Sequence, residues 1–364
     1  MGGRADLRLA ERGGWIELLR GPALLFGAIA RVRAWIYDRR ILPSYDVGAP
    51  VVCVGNVAAG GTGKTPMIAW LAGALGARGR RVGIVSRGYG ASGESPNDEA
   101  LMLAEMLPDV LHEQDRDRVA AATRLVDAGL DVVLLDDGFQ HRRLARDVDI
   151  VLLDALRPFG LPSPQDGGAP VRAMLPRGLL REPLSALGRA DAVIVTRADS
   201  APPARIDELR ALAALHAPGA ILALASHVPV RLRSRERGAW VERPLAELDG
   251  LAVELFSGIG NPGAFEATAR DLGAEVEGHR AFGDHHAFTA AELEGLGESA
   301  PALTTAKDAA RLLASGVSAP ANLRVLDVEM EVTEGRSELE ALLDTLVESD
   351  AARRRGAIHE GLHG

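Results

Sequence analysis

Of the chain's 41 basic residues only two are lysines, Lys64 and Lys307. A lysine ammonium is a compact point charge on a flexible stem, so a chain this poor in lysine keeps it where a planar guanidinium is no substitute. Lys64 falls in the run Gly60-Gly61-Thr62-Gly63-Lys64-Thr65. Glycines at this spacing let backbone N–H groups converge on phosphate oxygens, and a helix that starts there adds the positive end of its dipole. The lysine then reaches the β- and γ-phosphates, and the Thr65 hydroxyl binds Mg²⁺. Downstream stands Asp136-Asp137-Gly138. A carboxylate delivered by a strand to the phosphate-binding edge of a sheet holds Mg²⁺ in sites of this kind. These residues suit binding of a nucleotide with Mg²⁺ and chemistry at its phosphates.

The elements that must position them read as apolar runs. Pro50–Gly55 is a buried strand ahead of the glycine turn, and an apolar helix follows from about Pro66 to Leu75. Pro66 is tolerated because the N–H groups of a first helical turn have no helical partner. Asp131–Leu135 is a second strand, running into Asp136. Val82–Ser86, Asp149–Leu153, Ala192–Thr196 and Ala220–Ala225 are further strands, with helical stretches between them. Continuous apolar runs alternating with helices predict an α/β fold with a doubly wound parallel sheet. The strict phosphate-loop pattern has glycine six residues before the lysine, where this chain has Ala58. Thr196-Arg197-Ala198-Asp199 comes near the [N/T]-K-x-D guanine reader of GTPases but has arginine for lysine, which sets GTP aside.

Length and composition narrow the classes further. A chain of 364 residues, 47% apolar and 25% charged, is globular and long enough for about two domains. Its single cysteine, Cys53, cannot form an internal disulfide, which suits a reducing cytosol. A net charge of −9 argues against a general nucleic-acid binder. The first 40 residues run the other way, with eight Arg against four acids. Within them Leu24, Leu25, Ala28, Ile29, Val32, Trp35 and Ile36 recur at helical steps, with arginines beside them. The longest charge-free run there, Gly21–Ala30, is well short of the ~20 residues a spanning helix needs. On pattern alone such a helix docks on its own domain; a lipidic substrate would instead lay it in an anionic membrane surface.

Taken together, the motifs resemble the tetraacyldisaccharide 4′-kinase family, the lipid A 4′-kinases of Gram-negative bacteria. The matching stretches are VGNVAAGGTGKTP (Val54–Pro66), VGIVSRGYG (Val82–Gly90), NDEALMLA (Asn97–Ala104) and DRDRVAAA (Asp115–Ala122). DDGFQHRRLARDVDIVLLDA (Asp136–Ala155), LPRGLLREP (Leu175–Pro183), FSGIGNPGAF (Phe256–Phe265), FGDHHAFT (Phe282–Thr289) and TTAKDAARL (Thr304–Leu312) continue in family order. The resemblance implies ATP- and Mg²⁺-dependent phosphorylation of the 4′-hydroxyl of a lipid disaccharide 1-phosphate, at the cytoplasmic face of the inner membrane.

Carried over residue by residue, the family's phosphate loop falls on Ala58, Ala59, Gly60, Gly61, Thr62, Gly63, Lys64 and Thr65, and the family does not keep the first glycine. The Mg²⁺-associated pair falls on Asp136 and Asp137, with Thr65 as the hydroxyl ligand. The catalytic carboxylate falls on Asp98, where Asn97 and Ala100 depart from the family's Gly-Asp-Glu-Pro. The catalytic histidine falls on His285, with His286 as the alternative. Arg87, Gln140 and His141 are expected to line the substrate site. In this reading Asp98, oriented by His285, takes the proton of a sugar hydroxyl, while Lys64 and Mg²⁺ offset charge on the transferring group. Lys307, in Thr-Thr-Ala-Lys-Asp-Ala, is expected to serve the site or the contact between domains.

The expected organisation is an N-terminal amphipathic helix over residues 1–39, a phosphate-loop domain over 40–225 and a two-stranded linker over 226–249. A smaller α/β domain over 250–348 and a tail over 349–364 follow. The partners expected are the lipid disaccharide and an anionic membrane surface, with neither nucleic acid nor a required protein partner. The rival reading is a membrane-associated ATPase switch acting through protein partners. Such proteins carry an extra lysine at the start of the loop, and that position here is Ala59.

Overall fold

Strands without polar alternation need burial on both faces, and in the computed structural model of this chain they find it in parallel sheets flanked by helices. The structure describes residues 8–88, 98–164, 168–236, 238–283 and 286–361. In chain order the elements begin with α1 (Arg20–Asp38), β1 (Val51–Asn56), α2 (Lys64–Ala77), β2 (Val82–Ser86), α3 (Asp98–Met106), β3 (Leu111–Gln114) and α4 (Arg118–Asp127). Then come β4 (Val132–Asp136), β5 (Val148–Asp154), β6 (Ala192–Thr196), α5 (Pro203–His216), β7 (Ile221–Glu236) and β8 (Ala239–Arg243). The chain closes with β9 (Ala252–Ser257), α6 (Pro262–Asp271), β10 (Glu275–Ala281), β11 (Ala302–Thr305), α7 (Ala306–Ala314), β12 (Leu323–Glu334) and α8 (Arg336–Gly361). Contacts divide it into a larger unit, Leu7–Gly90, Asp109–Ser226 and Glu331–Gly364, and a smaller one, Met1–Asp6, Ala91–Pro108 and His227–Met330.

In the larger unit β6, β5, β1, β4, β2 and β3 lie side by side and parallel, with the first half of β7 along β6. β1 is flanked by β4 on one side and β5 on the other, so the winding of the sheet reverses at β1. The crevice beyond the strand ends at such a reversal is where α/β sheets bind ligands. One face of the sheet buries Val57, Phe139, Val151, Phe159 and Leu187. The other buries Cys53, Val85, Leu125, Val133 and Leu135. Cys53 is a free, fully buried thiol, pushed well above its ordinary pKa chiefly by that burial and then by Asp149.

In the smaller unit β10, β9, β11 and β12 pair in parallel, and Phe256, Phe288, Leu312 and Val325 fill one of its cores. The second half of β7 forms a hairpin with β8, from Leu232↔Arg243 to Glu236↔Ala239. Between the two strands Gly238 takes φ 86, and Arg237 lies outside the described residues. Two elements extend far past the ends expected for them. β7 runs unbroken through His227, joining the strand expected to stop at Ala225 to the linker, because its second half gains β8 as a partner. α8 continues to Gly361, through the stretch read as a tail.

The N-terminal helix α1 is present and inverts the usual amphipathic arrangement. Its buried positions are the small residues Ala23 and Gly27. A Cβ at Gly27 would stand 3.3 Å from Met174 Cγ, so a small residue there lets the helix lie close. Arg142 donates to Ala34 O at 3.1 Å and to Asp38 at 2.7 Å, and Arg33 donates to Gln140 O at 3.0 Å. The large apolar residues face outward: Leu24 is 72% exposed, Ile29 60% and Trp35 52%. Among the described residues no helix is long and apolar enough to cross a membrane.

Candidate active site

The glycine loop joins β1 to α2 at the point where the sheet reverses. Gly60 has φ 126 and Gly63 has φ 85, backbone states that L side chains seldom adopt, so these two positions require glycine. Ala58 occupies the position of the missing glycine without strain. It is 2% exposed, packs with Val57, Phe159 and Leu180, and bridges to Leu180 across the loop. Ala59 N donates to Leu179 O at 2.8 Å. From the end of β1, the amide of buried Asn56 donates to Thr62 Oγ1 at 3.0 Å and to Gly60 O at 3.3 Å. The loop is therefore held from both ends before any ligand arrives.

Lys64 is the first residue of α2, and its Nζ lies 3.6 Å from Asp137 Oδ1. The register that pairs Val54 with Asp136 brings the two acids level with the end of β1. Asp136 is 1% exposed, and Asp137 takes a left-handed φ of 48 as the chain leaves β4. Arg181 forks onto Asp137, with Nη1 donating to Oδ2 at 2.9 Å and Nη2 to Oδ1 at 2.7 Å, and also bonds Asn56 Oδ1. Arg118 donates to the Asp137 carbonyl at 3.1 Å. Burial works against the charge on Asp137, but Lys64, Arg181 and Arg118 outweigh it and hold the carboxyl well below the usual range. The result is a fixed carboxylate between two fixed cations, beside a loop of backbone donors.

The remaining predicted residues divide. Gln140 lies beside the end of β1, its Nε2 donating to Asn56 O at 2.9 Å and to Glu182 Oε1 at 3.1 Å. His141 follows it, pushed down to about 4 by burial and then by Arg118, Arg146, Arg33 and Arg143, so it is neutral at pH 7. Arg87 is exposed just past β2. Asp98 is the first residue of α3, in the smaller unit; its side chain lies outside what the structure describes. His285 lies outside the described residues. His286 gives its Nε2 to Glu292 at 3.0 Å and stacks on Phe282 at 4.7 Å between ring centroids. Lys307 sits in the first turn of α7, beneath a Thr305 cap.

Arg181, Arg118, Asn56 and Glu182 were not singled out in the sequence as site residues. Each lies within a stretch that matches the family, but a lone arginine or asparagine carries no local signal. Only the fold brings Arg181 to an aspartate 44 residues away.

Proteins of one family resemble this chain over nearly its whole length. The sequence profile of the tetraacyldisaccharide-1-P 4′-kinase family matches residues 15–348. The tetraacyldisaccharide 4′-kinase of Anaeromyxobacter sp. (strain K) is 42% identical, over 94% of this chain and 95% of that protein. The one from Aeromonas hydrophila is 34% identical, over 95% of each. A crystal structure of LpxK from Aquifex aeolicus in complex with ATP is similar at a TM-score of 0.69 and 27% identity, covering 92% of this chain and 99% of that one.

Proposed function

The chain belongs to the tetraacyldisaccharide 4′-kinase family, and from that premise we propose how its residues carry out the family's reaction. It is a kinase of lipid A biosynthesis that uses ATP to phosphorylate the 4′-hydroxyl of tetraacyldisaccharide 1-phosphate. The observation that carries the reading is the juxtaposition of Lys64, Asp137 and Arg181 at the end of β1 and β4, beside the glycine loop.

The loop N–H groups and Lys64 bind the β- and γ-phosphates. The donor set beside them is oxygen only: the Thr65 hydroxyl, the buried Asp136 carboxylate and Asp137. Hard oxygen donors in this number suit Mg²⁺, which takes few protein ligands and completes its shell from phosphates and water. When bound, Mg²⁺ neutralises charge on the phosphates. The sugar 4′-oxygen attacks the γ-phosphorus, the bond to the β–γ bridging oxygen breaks, and the hydroxyl proton passes to Asp98. His285 orients that carboxylate. The engagement of His286 with Glu292 and Phe282 supports His285 over its neighbour. Neutral His141 and Gln140 line the acceptor side, with Arg87.

The acceptor is a lipid, and the outward apolar stripe of α1 meets that need. Leu24, Leu25, Ile29, Val32 and Trp35 enter the interface of an anionic membrane at its cytoplasmic face, while neighbouring arginines meet lipid headgroups. The catalytic assignment is tested with Asp98→Ala. Transfer falls by at least about a hundredfold with ATP binding unchanged, as expected for loss of a general base. Near-normal transfer removes Asp98 from that role.

A further inference from the structure

Thr196 and Arg197 stand where a GTPase would place part of its base reader, and in this fold they face the phosphate loop instead. Thr196 ends β6 with no exposure, and its Oγ1 donates to Thr62 O at 2.9 Å. Arg197 takes a left-handed φ of 55, unusual for a residue with a Cβ. From there its Nη2 donates to Gly61 O at 3.1 Å while its Nη1 pairs with Asp154. Asp154 is the last residue of β5, 3% exposed, and its carboxylate also accepts from Leu156 N at 3.0 Å. Two successive loop carbonyls are thus drawn toward β6 by two successive side chains.

A trans peptide is planar, with its N–H pointing opposite to its C=O. The Gly61 carbonyl shares its peptide with Thr62 N–H, and the Thr62 carbonyl with Gly63 N–H. We infer that Thr196 and Arg197 are positioning residues for phosphate binding: by holding these two carbonyls they turn the Thr62 and Gly63 N–H groups toward the opposite face of the loop, where phosphate oxygens bind. Gly60, Gly61 and Gly63 give the loop wide backbone freedom. Without the grip, the ligand itself would have to order these donors and would bind more weakly. An arginine suits the position because its fork spans a carbonyl and a carboxylate at once, which an ammonium does less well.

This inference rests on the ATP site proposed above, and its test reads nucleotide binding without the lipid acceptor. A wild-type chain that fails to bind ATP would refute the site itself; the variants test the grip. Arg197→Gly accepts the left-handed backbone freely, and adding Asp154→Asn removes the stranded carboxylate. Calorimetric titration of ATP, ADP and adenosine, with Tm measured in parallel, is the assay. ATP and ADP affinity falls about tenfold in both variants, the scale of one charge-assisted hydrogen bond. Adenosine, which lacks phosphates, is unaffected, the double variant keeps the wild-type Tm, and Arg197→Lys recovers part of the loss. ATP affinity within twofold of wild type, its recovery in the double variant, or an equal loss for adenosine overturns the inference. So does a loss of affinity that tracks Tm across the variants.

Discussion

Replacing Leu25 and Ile29 together by serine isolates the outward face of α1. Leu25 is 64% exposed and Ile29 60%, so neither supports the fold, and Tm should stay within a degree or so of wild type, as for surface substitutions generally. In a membrane interface the same side chains leave water. Fully burying a Leu or Ile is worth about 1.5–3 kcal/mol, and some 60% of that surface remains to be buried, so each contributes about 0.9–1.8 kcal/mol. The pair sums to about 1.8–3.6 kcal/mol, or roughly 20- to 400-fold in partitioning. Co-sedimentation with vesicles containing anionic phospholipid measures it directly. Raised salt should weaken wild type and variant alike, because the arginines beside the stripe are untouched. Recovery on vesicles within twofold of wild type would show that the exposed stripe is not the membrane contact.

Three features of the site give further expectations. Arg181→Met removes the fork on Asp137 and leaves Lys64 at 3.6 Å. Turnover should fall about 10- to 100-fold, with partial recovery in Arg181→Lys, because bonds to a charged group are worth about 1.5–3 kcal/mol each and Lys64 retains part of the field. Unchanged turnover in steady-state transfer would refute that role. His141 is neutral in the fold down to about 4, whereas the unfolded ring protonates near 6.5. Between those values the unfolded chain binds more protons, so stability rises with pH. His141→Gln should flatten that rise by about 1 kcal/mol, allowing for solvent screening at a half-buried ring, in denaturant melts from pH 4.5 to 7. Asp137→Asn should weaken transfer at least about tenfold, because its negative charge is what the Lys64 and Arg181 cations face. Retention of full transfer would mark the pair as structural.

The parts of this account that were legible in the sequence are those written locally. Strand, glycine turn and Lys64-Thr65 lie within a few residues of one another, and the Asp136-Asp137 pair follows directly on an apolar run. The glycine departure at Ala58 is legible as a departure, and packing against Phe159 and Leu180 shows what its side chain does there. Helical periodicity located α1 without saying which face docks. The usual rule buries the large apolar residues, yet here Ala23 and Gly27 make the contact and Leu24, Ile29 and Trp35 are left outside. Arg181 and Arg118 were opaque because an arginine acquires a role only from the carboxylate the fold brings to it. In the sequence Arg197 stands only as the mismatch in a guanine-reader pattern; its contact with Gly61 emerges only once β6 lies beside β5, with the loop within reach.

The central claim is transfer of phosphate from ATP to a lipid sugar at the Lys64 site. It is tested most directly by incubating the full chain with γ-labelled ATP, Mg²⁺ and detergent-dispersed tetraacyldisaccharide 1-phosphate, with Lys64→Ala as the blank. Wild type alone is expected to move the label to the lipid's 4′-oxygen, one phosphate for each ATP consumed. ATP hydrolysis without a labelled lipid, or labelled lipid at equal rates from Lys64→Ala, would contradict it.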